Sequence, residues 1–173
     1  MKTLQISLLV LLVSSCSPIR VNYDFEKGTD FTQYKTYNYY VDMQTGLSEL
    51  DTKRILNAIE TNLKIKGITL SDDPDFLINI KSSEYQEAQS SSLGVGVGGG
   101  GSYGGGAVSV GIPIGQAKVN RQVTVEFVDE NKTGLFWQAV SESSLNPNLT
   151  PGKREEKLNA IVTQILTEYP PKN

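Results

Sequence analysis

Alternating apolar and polar residues predict two strands in the N-terminal part of the chain. Val21, Tyr23 and Phe25 are separated by single polar residues, which is the two-residue repeat of a half-buried strand. The Gly-Thr-Asp turn at 28–30 ends this strand. The Tyr-rich segment 36–41 predicts a second strand, because aromatic residues favour strands.

An amphipathic helix is predicted after these strands. Ser48 can cap its N-terminus, and Asp51, three residues later, completes a pair that resembles a capping box. Gly67 ends the helix, because glycine is favoured just beyond a helix C-terminus. Its apolar side chains recur every three to four residues, at Ile55, Ala58, Ile59 and Leu63.

The centre of the chain predicts three further strands. A long strand begins at Phe76 and runs towards Ala88. After a glycine-rich stretch, residues 119–127 alternate strictly, 129–134 form a turn, and 135–143 return as the second arm of a hairpin.

A second helix is predicted near the C-terminus. Thr150 and Pro151 begin it, because proline is favoured at the first helical position, and Pro170 and Pro171 end it. One side of this helix carries a continuous apolar stripe, which consists of Leu158, Ile161, Val162, Ile165, Leu166 and Tyr169. The predicted fold is α+β: an antiparallel or mixed sheet with two amphipathic helices on one face and the glycine-rich insert between two central strands.

The N-terminal sequence predicts a signal peptide that is cleaved off, rather than a part of the folded domain. The ten apolar residues 4–13 are too few to span a bilayer, which takes about 20, but they fit the apolar part of a signal peptide. They end in Val13-Ser14-Ser15-Cys16, which resembles the lipobox of bacterial lipoproteins. The resemblance implies cleavage between Ser15 and Cys16 and a diacylglycerol thioether on Cys16, with acyl chains such as palmitate. The alternative is an unmodified thiol after an ordinary secretory signal.

This interpretation divides the chain into a signal peptide at 1–15, a lipidated tether at 16–20 and one α+β domain at 21–173. The Asp that retains lipoproteins in the inner membrane of enteric bacteria is replaced by Ser17, which favours the outer membrane. No acidic cluster follows Cys16, which favours the periplasmic side. At about 3.5 Å per residue, the tether keeps the domain within about 15–18 Å of the membrane.

Composition excludes several classes of function. The 16 Lys and Arg against 19 Asp and Glu give a net charge of -3, which argues against a nucleic-acid partner. The absence of His excludes a Ser-His-Asp triad, a His base and a His metal ligand, and the single Cys excludes an intramolecular disulfide and a thiolate zinc site. We therefore predict no catalytic residue, no metal and no cofactor, and no small-molecule substrate is evident. The membrane is the expected partner, together with an envelope protein.

The glycine-rich segment 94–115 holds 11 of the 16 glycines and has three interpretations. A dinucleotide loop would need a helix directly after it, and none is predicted. A flexible loop joining two antiparallel strands fits the composition. Alternatively, the Val and Ile alternation at 94–97 and 107–112 extends the flanking strands into an uncharged hairpin that contacts the membrane or a partner's sheet edge.

Two further clusters have a structural and a functional interpretation. Asp72, Asp73 and Asp75 could in principle bind Ca²⁺, but they lack the spacing of an EF-hand loop and surround a proline, so a solvated turn is expected. Trp137 and the tyrosines at 37, 39 and 40 could form a ligand surface, but such aromatic residues more often fill the core of a sheet.

The order of these features resembles the DUF4136 family of bacterial lipoproteins, whose function is uncharacterised. The resemblance spans about 21–171, although this family more often has Phe at the position of Tyr169. It implies a fold and a compartment, but no activity. The matching pieces are the early strand pair with its Tyr-rich segment, the helix ending near Gly67, Asp-Pro-Asp-Phe at 73–76, the glycine-rich insert, the strand at 123–128 closing at Asp129, Trp137, and the tail Ile165-Leu166-x-x-Tyr169-Pro170-Pro171.

Two functional hypotheses follow. The first is a non-enzymatic envelope lipoprotein of unknown biochemical role that binds or assembles with another envelope component through its sheet edge or glycine-rich hairpin. The alternative is an enzyme of unknown type in the periplasm. The sequence favours the first, because no nucleophile and base can be paired. A deep cleft lined with carboxylates would favour the enzyme, whereas a free sheet edge or an ordered hairpin would favour partner binding.

Overall fold

The computed structural model describes residues 18–86, 92–93, 112–113, 119–132 and 134–171. Within these ranges the chain forms two α-helices and one short 3-10 helix, Phe31–Gln33. The helices are α1 (Glu49–Ile65) and α2 (Pro151–Thr167). The strands are β1 (Arg20–Phe25), β2 (Thr36–Tyr39), β3 (Thr69–Leu70), β4 (Phe76–Gln86), β5 (Ser92–Leu93), β6 (Ile112–Pro113), β7 (Val119–Asp129) and β8 (Gly134–Ser144).

Six of the strands form one mixed sheet in the order β1-β8-β7-β4-β2-β3. All neighbours are antiparallel except β2, which runs parallel to both β3 and β4. The two longest ladders join β7 to β4 and to β8, so the glycine-rich insert separates two strands that are neighbours at the centre of the sheet. The α+β fold and the position of the insert are therefore as predicted.

Both helices cover the same face of the sheet and pack against each other. The strict alternation of β7 places Val123, Val125 and Phe127 on this face, where all three are fully buried. The predicted stripe of α2 is confirmed, because Leu158, Ile161, Val162, Ile165 and Leu166 are its buried residues. Each large side chain removed from water contributes about 1.5–3 kcal/mol, and this burial drives the helices onto the sheet.

Both helices have N-terminal caps: Ser48, as predicted, and Thr150, where the second helix was predicted to begin. The Ser48 hydroxyl accepts a hydrogen bond from the Asp51 amide at 3.2 Å, and the Thr150 hydroxyl accepts one from the Lys153 amide at 3.5 Å. Gly67 follows α1 with a φ of +78°, a left-handed conformation that favours glycine.

A bulge in β8 brings two consecutive aromatic residues into the core. The pairing with β7 shifts between Phe127 and Val128, so that Phe136 and Trp137 are both fully buried instead of lying on opposite faces. Tyr34 stacks on Phe136 with the ring centroids 4.1 Å apart. Trp137 and Tyr37 therefore belong to the core, as the structural interpretation predicted, whereas Tyr39 and Tyr40 are only half-buried.

β2 ends at Tyr39 rather than at residue 41, because the chain then leaves the sheet and shields the edge of β4. The Ile80 amide donates to the Met43 sulfur at 3.2 Å, and the Ser82 amide donates to the Thr45 carbonyl at 2.7 Å. Gly46 has a φ of +70°, and a Cβ at this position would overlap the Ser82 carbonyl oxygen. Loop 40–47 thus takes the place of a longer β2.

In the part of the chain that the structure describes, no helix is both long and apolar enough to cross a membrane.

Candidate functional site

The predicted processing site, Ser15 and Cys16, lies outside the described residues. β1 begins at Arg20, only four positions after Cys16. Arg20 is opposite Glu142 of β8, which is opposite Gln122 of β7. The chain therefore enters the sheet from the predicted tether at the end where β4 and β8 finish and β7 begins, and we call this end of the sheet the tether end.

β1 is an edge strand with outward-facing backbone groups. The Glu26 amide donates to the Phe136 carbonyl of β8 at 3.0 Å, so alternation turns the amides of Val21, Tyr23 and Phe25 away from β8. The Asp24 carboxylate accepts the outward amide of Phe25 at 2.9 Å. Among the described residues, no strand pairs with this edge, and the Tyr23 side chain is 41% exposed beside it.

The sheet face opposite the helices is polar. Glu126 accepts hydrogen bonds from the Asn79 amide group at 2.8 Å and from the Lys81 ammonium at 3.0 Å. A wide groove of about 740 Å³ lies on this face beside loop 40–47. The groove is lined by the carboxylates of Asp42, Asp72 and Glu130, together with Tyr40, Met43 and Lys81.

The groove is open and chemically mixed. Burial and the neighbouring Glu130 carboxylate both raise the pKa of Tyr40, so its hydroxyl stays protonated and can donate a hydrogen bond. Within the described ranges, no three acidic or sulfur side chains are grouped closely enough to hold a metal ion. The arrangement can bind a polar ligand through hydrogen bonds.

The three acids around Pro74 have different surroundings. Asp75 accepts three hydrogen bonds, from the Lys35 amide at 2.8 Å and from the Thr36 amide and hydroxyl at 2.8 and 2.9 Å. Partial burial raises the pKa of the Asp75 carboxyl, but these hydrogen bonds outweigh it and hold the pKa below its ordinary value. Asp72 lines the groove, whereas Asp73 and Asp75 line a separate cavity, so the three acids of the sequence cluster do not form one site.

A cluster of ionic side chains lies between the helix N-termini and the tether end, and the sequence analysis missed it. Asp51 is 1% exposed and pairs with Arg54 at 2.7 Å, with Arg154 at 3.3 Å and with Arg121 at 3.9 Å. Arg121 also pairs with Glu84 at 2.7 Å. Sequence spacing could not reveal this cluster, because Asp51 and Arg154 are 103 positions apart. The capping-box prediction was therefore only half correct: the Ser48 hydroxyl caps α1 by accepting the Asp51 amide, but the Asp51 carboxylate binds arginines.

The two arms of the glycine-rich insert meet at one described point. β5 and β6 are antiparallel, with Ser92 opposite Pro113 and Leu93 opposite Ile112. The alternating segments 94–97 and 107–111 lie outside the described residues. The loop and hairpin interpretations of the insert therefore both stay open.

The sequence matches the family described as "Domain of unknown function (DUF4136)" over residues 21–171, and the chain belongs to this family. A search among curated proteins gave no match. A solved structure shares the fold. A PDZ domain protein from Parabacteroides distasonis aligns with a TM-score of 0.59 at 15% identity, over 97% of this chain and 40% of that one, so the present chain spans less than half of that protein. PelC from Paraburkholderia phytofirmans, solved as a dodecamer, aligns with a TM-score of 0.49 at 9% identity, over 87% of this chain and 96% of that one.

Proposed function

For this member of the DUF4136 family, we propose the role of a non-enzymatic envelope lipoprotein that is anchored through Cys16 and binds another envelope component. One observation carries the proposal: an apolar run ends in Val13-Ser14-Ser15-Cys16, and the folded domain starts four residues later at Arg20. Four residues span at most about 14 Å. The domain is thus held against the membrane surface, on the periplasmic side of the outer membrane.

The free edge of β1 is the surface that we propose for a protein partner. Its outward amide at Tyr23 and the neighbouring carbonyls can pair with an extended segment of another chain, which is the recognition mode of β-strand addition. An uncovered edge strand invites such pairing, because its backbone groups already have the geometry of a ladder. The edge begins at the tether, so a partner bound there lies near the membrane as well.

The anchor is tested by the Cys16→Ser variant in intact cells. We expect the wild-type protein to incorporate an alkyne analogue of palmitate and to have the mass of a chain that begins at Cys16 with its lipid. The variant loses the label and keeps its signal peptide. Ser17→Ala is the matched control and keeps the label. A Cys16→Ser protein that still carries the lipid label, or a wild type with an unmodified thiol, contradicts the anchor.

The binding edge is tested by crosslinking in cells with two variants of Tyr23. Tyr23→Pro removes the outward amide but no ladder bond to β8, because that amide faces away from the sheet. Tyr23→Val removes the same ring and keeps the amide. We expect Tyr23→Pro alone to lose the crosslinked partner while both variants melt close to the wild type. Equal capture by both variants contradicts binding through this edge.

A further inference from the structure

A cavity of about 170 Å³ opens beside the ionic cluster at the tether end. Its floor is the end of the sheet, where Arg121 and Ser143 are opposite each other on β7 and β8. One wall is the connection from Ser144 to Leu149, and the other is the first turns of α2 with Arg154 and Lys157.

The charge of this cavity is positive although the whole chain is acidic. Arg121, Arg154 and Lys157 line it together with a single carboxylate, Glu84. Asp51 lies behind them and is already shared by three arginines. Four cationic side chains, including Arg54, thus face two carboxylates, which leaves a net charge of +2 in a protein whose net charge is -3.

Two donors of the side chains that line the cavity have no partner among the described residues. The Nε of Arg121 is buried and has no hydrogen-bond partner among the residues that the structure describes, although its two terminal nitrogens are engaged by Asp51 and Glu84. A buried donor without a partner costs about 1–3 kcal/mol, so an acceptor at this position would be favourable. Lys157 lines the same cavity and makes no ion pair with any described residue.

The N-terminus of α2, which forms one wall of the cavity, also favours the binding of an anion. A helix N-terminus carries a partial positive charge that favours acidic side chains, and the first turn of α1 has Glu49 and Asp51. The first turn of α2 has no acidic residue, and although Glu155 and Glu156 follow, the charged side chains of α2 that line the cavity are Arg154 and Lys157. At the cavity, the dipole of α2 therefore adds to the positive charges of Arg154 and Lys157.

The geometry points to a binding site for a phosphate group in this cavity, held by Arg121, Arg154 and Lys157. Arginine and lysine are the side chains that bind phosphate oxygens most strongly, and the helix N-terminus adds to their field. The group can belong to an anionic lipid headgroup or to a free phosphate, since both present the same oxygens. The site itself needs no lipid anchor, but a headgroup as its source rests on the proposed attachment through Cys16, which begins at the same end of the sheet.

The first experiment uses the full chain in neutral detergent, titrated with inorganic phosphate at constant ionic strength and followed by its melting temperature. A ligand that binds only the folded state raises this temperature, and the rise grows with the logarithm of the ratio of ligand concentration to Kd. We expect Lys157→Gln to weaken phosphate binding about tenfold, because it removes one charge-assisted hydrogen bond. Lys27→Gln is the matched control: it removes the same charge from an exposed turn outside the cavity.

The second experiment separates the two sources of phosphate. The same proteins are melted in nanodiscs of phosphatidylcholine, with and without phosphatidylglycerol. A higher melting temperature with phosphatidylglycerol for wild type and Lys27→Gln, but not for Lys157→Gln, identifies the lipid headgroup. A response to inorganic phosphate alone identifies the free ion.

Two results would overturn the site. One is no response of the wild type to either form of phosphate, and the other is an equal response of Lys157→Gln and Lys27→Gln. Either would mean that the arginines only neutralise Asp51 and Glu84. Because the detergent experiment does not depend on the lipid at Cys16, an unmodified Cys16 would refute the anchor and still leave the phosphate site to be decided.

Discussion

Hydrogen bonds to Asp75 connect the beginning of β2 to the turn before β4. Its carboxylate accepts hydrogen bonds from the Lys35 and Thr36 amides and from the Thr36 hydroxyl, and the Thr36 hydroxyl in turn accepts the Asp75 amide at 3.0 Å. β2 is a short strand of four residues, and this contact aligns it with β4.

The hydrogen bonds at Asp75 predict a pH dependence of stability. They lower the carboxyl pKa in the folded state below its ordinary value of 3.8, so their contribution is complete above that value and is lost as the pH falls through the folded-state pKa. We expect Asp75→Asn to unfold at lower urea concentration than the wild type near neutral pH. The difference should narrow as the pH falls below 3.8 and close once the carboxyl is protonated in the folded state as well.

Asp72→Asn is the matched control for this measurement, because it removes the same charge from the same exposed turn. A difference between Asp75→Asn and wild type that stays constant from neutral to acidic pH would contradict the role of the ionised carboxylate.

Single residues also show what a local pattern can and cannot predict. Ser48 and Thr150 were predictable as caps, because a cap needs only residues within one turn of the helix. The carboxylate of Asp51 was not, because its arginine partners on β7 and α2 lie far away along the chain. The phosphate cavity was unpredictable for the same reason.

At the level of elements, the two-residue repeat predicted most of the strands, and the repeat of three to four residues predicted both helices. They missed the bulge at Phe136, because a repeat assumes one residue per position of the partner strand. They also placed the end of β2 too late, because Met43 and Thr45 compete for the edge of β4 through contacts that have no periodicity.

The buried stripe of α2 carries a prediction at this scale. Ile165 is 0% exposed between the sheet and α1, so Ile165→Asp places an unpaired charge in the core. The cost of several kcal/mol is comparable with the whole stability of a domain, about 5–15 kcal/mol, and we expect the variant to be largely unfolded by circular dichroism. Gln164→Asp, at the exposed neighbouring position, should melt like the wild type. A cooperative melt of Ile165→Asp near the wild-type temperature would contradict the packing of α2.

At the scale of the whole molecule, several features meet at the tether end. β1 starts there, both helices begin there, and the glycine-rich insert leaves from Gln86 and returns at Val119, which are opposite each other in the ladder. The sequence predicted each feature separately. Their convergence follows from the strand order, which depends on pairings between distant segments and cannot be derived from local patterns.

The insert supplies the prediction at this scale. The ladder of β4 and β7 is complete without residues 94–111, and β5 and β6 already close the loop at Leu93 and Ile112. Replacing 94–111 by a short Gly-Ser turn changes the entropy of loop closure by only about 1 kcal/mol. We therefore expect urea unfolding of the deleted chain to match the wild type closely, with a small gain in stability.

A second variant distinguishes a passive loop from a contact element in cells. It keeps the length of the insert but replaces its four valines with serine, at Val95, Val97, Val108 and Val110. If the alternation of Val and Gly contacts a membrane or a partner, both variants should lose that contact in crosslinking while their unfolding in urea stays unchanged. If the insert is a passive loop, both should crosslink as the wild type does. A loss of several kcal/mol in the deleted chain would contradict both interpretations, because it would mean that the insert packs against the domain.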